Sequence, residues 1–296
     1  MSTNYRVAIY KEQYTMVELV EEDSRSSVTI CPERGGIAIQ CRLNGYELFY
    51  LDKETFLDPE ANIRGGNPVL FPISGQLEDG QYEWNGTTYT MKNHGVARTE
   101  PWEIVETSFD GRASVTLKLT SSAKTKEQFP FDFELLFTYT LRGGELLIEQ
   151  QYRNLSDTPM PMYPGFHPYF ATNEKNIAYK TDATRYLDYN DMIEKKYEGA
   201  LNLEGMKESA ALLDPVKPEI SFELSDAVNV RMKYSDLFKT VVLWSVDGKP
   251  FVCVEPWMAL TGELNRRDEL VFVEPGDAVE AELTFSCEPR SAAKTN

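Results

Sequence analysis

Two histidines and one glutamate carry the acid–base chemistry that this sequence offers. His94 and His167 are the only histidines among 296 residues. His94 lies in Lys92-Asn93-His94-Gly95-Val96-Ala97-Arg98, and His167 in Tyr163-Pro164-Gly165-Phe166-His167-Pro168-Tyr169-Phe170. The flanking glycines and prolines put both at loops or strand ends, positions from which a side chain projects into a cleft. Glu255 stands in Phe251-Val252-Cys253-Val254-Glu255-Pro256-Trp257, where strand alternation gives it the same face as Phe251 and Cys253. A carboxylate on an apolar face is costly unless it is paired or lines a polar pocket. Pro256 predicts the end of strand pairing, leaving Glu255 at a strand terminus that opens toward a cavity. A carboxylate near an imidazole is the minimum for general acid–base work, because one can hold a proton while the other accepts one. The plainer alternatives are loop histidines bonded to backbone and a glutamate in a buried ion pair.

Other chemistries find less support. Arg64, in Ile63-Arg64-Gly65-Gly66-Asn67-Pro68, offers a fork of donors to hydroxyl, carboxylate or phosphate oxygens, or is a surface arginine before a turn. Trp84, Tyr163 and Trp257 are candidates for an apolar face on which a sugar ring stacks, although most aromatics in a β-sandwich are core. Phosphate-cradling P-loop, dinucleotide-binding, nucleophile-elbow and His-Glu-x-x-His patterns are all absent. A metal set of His94, His167 and Glu255 would draw its ligands from three distant segments, whereas such sites usually take two from one short motif. No metal and no cofactor is expected.

The elements that must position these residues are short strands. Ser114–Thr120 alternates polar and apolar, and Phe133–Leu141 runs through Arg142-Gly143-Gly144 into a second strand, which makes a hairpin. Asp247-Gly248 joins Lys239–Val246 to Lys249–Trp257 in the same way, with a primed turn. Asn44-Gly45, Asp79-Gly80, Asn85-Gly86 and Asp110-Gly111 add turn signals, and no long helical stripe interrupts them. The fold class that follows is all-β and antiparallel. The polar, glycine-interrupted stretch 190–213 reads as excursions between strands. No linker divides residues 1–296, so one large β domain is expected, with a frayed tail from about Pro289.

Composition narrows the partners. With 47 acidic and 30 basic residues, the formal net charge of −17 lacks the basic stripe a nucleic-acid binder needs. No apolar run approaches a membrane span, and the N-terminus has no signal-peptide pattern. Four scattered cysteines give neither a disulfide framework nor a metal knuckle, so a cytoplasmic protein is expected.

The motifs also resemble a known family. Arg64-Gly65-Gly66-Asn67-Pro68-Val69-Leu70-Phe71-Pro72, then Asp79-Gly80, His94-Gly95-Val96-Ala97-Arg98 and Trp102, then Phe166-His167-Pro168-Tyr169-Phe170 and Cys253-Val254-Glu255-Pro256-Trp257, are similar in order and kind to the aldose 1-epimerase (galactose mutarotase-like) family. The resemblance covers roughly residues 30 to 285. It implies a large antiparallel β-sandwich holding a sugar in a cleft, and anomer interconversion without metal or cofactor. By that resemblance Glu255 is the general base toward the C1 hydroxyl and His167 the general acid toward the ring oxygen. His94 orients the sugar, and Arg64, Arg98, Asn93, Asp214 and Trp257 bind it. The second histidine is followed by Pro168-Tyr169-Phe170-Ala171, where the best-known galactose mutarotases usually have Ser-Tyr-Phe-Asn. The Arg-Gly-Gly-x-Pro and His-Gly-x-Ala-Arg motifs look more like the branch containing hexose-6-phosphate mutarotases, which uses such arginines on the phosphate. The acidic balance, with no basic cluster beside Arg64 or Arg98 in the sequence, favours a neutral hexose. The alternatives are a hexose-6-phosphate 1-epimerase and a non-catalytic sugar-binding protein; a monomer or homodimer is expected.

Overall fold

A computed structural model describes residues 4–290. Among the described residues the element order is almost wholly β, with three α-helices of five, four and four residues and three 3₁₀ turns of three residues each. A five-stranded antiparallel sheet occupies the N-terminal part, from Tyr5–Lys11 to Tyr46–Glu47. Behind it run a nine-stranded sheet, centred on Phe133–Arg142, Glu145–Asn154 and Ala278–Pro289, and an eight-stranded sheet that contains Thr240–Trp244 and Phe251–Trp257. No helix among the described residues is long and apolar enough to cross a membrane.

Alternation explains how the layers close. In Phe133–Arg142 the side chains of Phe133, Leu135, Phe137 and Tyr139 are buried, and in Glu145–Asn154 those of Leu146, Ile148 and Tyr152. The two strands are joined through Gly143-Gly144, both at positive φ (62° and 73°), as a two-residue primed turn requires. Phe251–Trp257 is instead buried along its whole length. Val252 and Val254 enter the main core, while Phe251, Cys253 and Trp257 belong to smaller clusters on the opposite face. A strand buried on both faces has room for a carboxylate only where one face is hollow.

Four expectations are corrected here. Pairing does not stop at Pro256: Glu255 faces Val242, Pro256 faces Val241 and Trp257 faces Thr240, so Glu255 lies inside the strand and not at its end. Pro256 is tolerated because the strand on its other side is broken between Gly165–Phe166 and Tyr169–Ala171. At Asp247-Gly248 only Gly248 has positive φ, and Lys249 N–H donates to the Val246 carbonyl, an ordinary turn in a wider loop. Stretch 190–213 holds three short strands, Ile193–Lys196, Ala200–Asn202 and Ala210–Leu212. The expected fraying at 289–290 is absent: Pro289 pairs with Val228, and Arg290 forms ion pairs with Glu223 and Asp226. The rest of that tail lies outside the described residues.

Candidate active site

The eight-stranded sheet brings His167 and Glu255 together by register. Gly165 pairs with Trp257 and Tyr169 with Cys253, and continuing both registers inward sets His167 opposite Glu255. The two side chains meet at 3.5 Å, His167 Nδ1 to Glu255 Oε1, as cross-strand neighbours do. Both are buried, at 7% and 1% exposure. The other carboxylate oxygen, Oε2, accepts the indole N–H of Trp257 at 3.2 Å. Beneath the imidazole, Tyr169 stacks at 4.7 Å and 7° between planes, while Trp244 meets its edge at 5.8 Å.

Burial dominates the electrostatics of the pair. Desolvation pushes the Glu255 carboxyl well above the usual carboxylate range, opposed by the Trp257 N–H and the charge of Arg98. Desolvation, helped by Arg98, lowers His167 to about 3. Both shifts favour the neutral partners, a carboxylic acid beside a neutral imidazole. Close, coupled groups titrate as a unit, so the pair holds one proton between its two macroscopic steps.

His94 is fixed by a tight turn. Its backbone N–H donates to the Gly75 carbonyl at 2.8 Å, and the Gly75 N–H returns a bond to His94 Nδ1 at 3.0 Å. Accepting at Nδ1 requires the ring proton to sit on Nε2 when the imidazole is neutral. Burial, Arg98 and His167 together keep His94 well below the ordinary histidine range. His94 is therefore an uncharged Nε2–H donor, edge-on to His167 at 5.2 Å and to Trp257 at 5.9 Å. Its φ of 66° is left-handed, with Gly95 following at 73°.

The three side chains share one cavity of about 570 Å³. Asn93 and Trp257 line it too. Arg64 is exposed and does not line it; the charge of Arg64 acts on Tyr50 and Tyr169. Asp214 is not at the cavity either. Its carboxylate accepts from Thr184 N–H and Oγ1 and from Arg185 N–H, so it is spent on the turn before Arg185–Asp188. Trp84 packs against Phe131 and under Arg267, and Tyr163 is fully buried in the core. Among the three aromatic candidates only Trp257 reaches the site.

Arg98 lies behind the His167–Glu255 pair, half-buried, and lines a separate pocket of about 210 Å³ with Arg34, Lys92 and Lys124. This corrects the reading that no basic cluster accompanies it: Lys92 comes from its own segment, and Arg34 and Lys124 from segments far from it in sequence. Two of them are engaged, Arg34 with the carbonyls of Asp58 and Pro59 and Lys124 with Glu100. Arg98 has no carboxylate within ion-pair distance among the described residues.

Several lining residues escape motif reading. Trp244 lines the cavity because it sits opposite Cys253 in the hairpin, which its register would have revealed. Met192, Lys207 and Glu208 come from the polar stretch and have no sequence signal. Asn190 holds that rim: its side-chain oxygen accepts the N–H groups of Lys207 and Glu208, both at 3.0 Å.

Comparison with known proteins agrees with the fold and the motifs. The family model for aldose 1-epimerase matches residues 20–286. The crystal structure of the Slr1438 protein from Synechocystis sp. PCC 6803 is 35% identical and superposes with a TM-score of 0.89, covering 98% of this chain and 99% of that one. A galactose mutarotase related enzyme from Lactobacillus acidophilus, 19% identical, shares the fold at a TM-score of 0.73 over 98% of this chain and 99% of its own. The plasmid protein LacX of Lactococcus lactis subsp. lactis is 28% identical over 243 residues, 70% of this chain and 78% of that protein. With the motifs in order, the all-β fold and a family match across most of its length, the chain belongs to the aldose 1-epimerase family.

Proposed function

We propose that the protein is a mutarotase that interconverts the α and β anomers of a free hexose, working in the cytoplasm, where its four unpaired cysteines stay reduced. The observation that carries this reading is the buried His167–Glu255 pair at 3.5 Å on the wall of a cavity of about 570 Å³ lined by both polar and aromatic side chains. When the single proton of the pair moves from Glu255 to His167, the ionised Glu255 takes the proton of the C1 hydroxyl while the protonated His167 gives its proton to the ring oxygen. The C1–ring oxygen bond breaks, and the open aldehyde leaves Glu255 protonated and His167 neutral. Rotation about C1–C2 and reversal of both transfers close the ring as the other anomer. The pair carries one proton before and after each half, so no net proton enters or leaves. His94, as a fixed Nε2–H donor, supports the oxygen on which negative charge develops. Trp257 steadies Glu255 through its indole N–H and offers a ring edge to the sugar.

Polarimetry of α-D-glucose and α-D-galactose tests this directly; rates at the uncatalysed value would reject it. A Glu255→Gln variant with wild-type anomerisation would support a non-catalytic sugar-binding protein instead.

A hexose 6-phosphate is the second reading, and it requires the phosphate to reach Arg98 in the basic pocket behind the pair. A half-buried guanidinium without a carboxylate is costly, and an anionic substrate group would relieve it. Comparing kcat/KM for glucose and glucose 6-phosphate, in the wild type and in Arg98→Met, separates the two. A selective loss on the phosphosugar would favour the second reading.

A further inference from the structure

Behind the acid–base pair lies a thiol that the reaction does not use. Cys253 is two residues before Glu255 on the same face of the same strand and is fully buried. Single donor atoms of His167, Cys253 and Glu255 all lie within 4.8 Å of one another. Two of them are already at coordination spacing: at Zn–N and Zn–O lengths of about 2.0–2.2 Å, tetrahedral ligands stand roughly 3.3–3.6 Å apart, and His167 Nδ1 and Glu255 Oε1 are separated by 3.5 Å. His167 Nδ1 makes no hydrogen bond although it is buried, an unusual condition for a polar atom. Glu255 Oε2 is held by Trp257, which orients the carboxylate as an outer-shell partner orients a metal ligand. The metal set considered from sequence used His94 in place of Cys253. His94 is unsuited to it: its Nδ1 accepts the Gly75 N–H and its ring proton sits on Nε2, so neither nitrogen has a free lone pair.

We propose that His167, Cys253 and Glu255 form an inhibitory site for a thiophilic divalent cation of the zinc or cadmium type. One imidazole, one thiolate and one carboxylate leave a fourth position open to the sugar cavity, the arrangement of an open zinc site. Binding displaces the thiol proton and the proton shared by the pair, and both leave to solvent. The lone pairs of Glu255 and His167 are then committed to the cation and can no longer relay a proton. Inhibition of this kind rests on the mutarotase reading above, whereas cation binding itself does not.

The test uses the full chain, treated with chelator and then titrated with Cd²⁺. The expected result is one Cd²⁺ per chain with ultraviolet thiolate-to-cadmium charge-transfer absorption, loss of anomerisation in proportion to occupancy, and recovery with chelator. Cys253→Ala keeps anomerisation within about twofold, lacks the absorption, and needs at least tenfold more Cd²⁺ for half inhibition, the scale of a lost ligand-sphere interaction. Cys253→Ser serves the same purpose where the alanine variant folds poorly. Absence of stoichiometric binding, or absorption that persists without Cys253 and so arises from Cys31, Cys41 or Cys287, overturns the proposal. A protein that binds Cd²⁺ through Cys253 but never anomerises a hexose would sink the mutarotase reading and the inhibitory role together while leaving the cation site in place.

Discussion

His167 Nδ1 and Glu255 Oε1 face each other at 3.5 Å across a gap in strand pairing, where one neighbouring strand is interrupted between Phe166 and Tyr169. The interruption frees the His167 backbone, whose N–H donates instead to the Pro68 carbonyl at 3.1 Å. Two ionisable groups are thus held in register by the sheet, while the broken ladder leaves room for a ligand.

Glu255→Gln keeps the shape and the Trp257 contact but removes the carboxylate that the proposed mechanism uses as its base. Anomerisation should fall on the order of 10²–10⁴-fold, the usual contribution of a positioned acid–base group, with KM little changed. Polarimetric kinetics on glucose measure it.

The pair also predicts a pH dependence of stability. Burial holds His167 at about 3, below the ordinary value of 6.5, so the unfolded chain takes up a proton that the native state refuses. The stabilisation is fully present above pH 6.5 and is lost as pH falls toward 3. His94 is lowered in the same sense. Glu255 is raised and acts oppositely: its contribution is complete below about 4.5 and is lost as pH rises through its native value. Between pH 6.5 and 4.5, unfolding free energy of His167→Gln should fall less steeply than wild type, by up to about 1.4 kcal/mol per pH unit. Urea unfolding at several pH values checks the difference; parallel slopes would contradict it.

His94→Asn and His94→Ala should part company. Asparagine tolerates the left-handed backbone at this position and can still accept the Gly75 N–H. Alanine leaves that donor unpaired, at a cost of about 1–3 kcal/mol. Both should lose roughly 10²-fold or more in kcat, as when a single donor to a developing oxyanion is removed. Thermal melts and kinetics on the same samples separate the structural role from the chemical one.

Gly165→Ala probes the packing that orients Glu255. A Cβ there would meet Ser74 Oγ at 2.5 Å, Trp257 Cδ1 at 2.7 Å and the Pro256 carbonyl at 2.9 Å. Overpacking of this kind costs about 1–3 kcal/mol, and it displaces the indole whose N–H holds Glu255. Stability and kcat should fall together; an unchanged melting temperature would show that the indole yields freely.

Sequence by itself determined the class of fold and singled out the three residues that the proposed mechanism uses. Glycine turns such as Gly143-Gly144 and two-residue alternation are local properties, and local backbone preferences act before any long-range contact exists. His94, His167 and Glu255 were legible because their types are scarce or costly in their surroundings. Only the tertiary structure decided which of the remaining residues join them. Arg64, Asp214, Trp84 and Tyr163 fail to reach the cavity, because a side chain's destination depends on partners far along the chain: Thr184 and Arg185 claim Asp214, and the core claims Tyr163. Trp244, Lys207 and Cys253 arrive beside the site by register and by the path of a polar loop. The pairing that sets His167 opposite Glu255 joins residues 88 positions apart, and no local pattern encodes a distance of that kind.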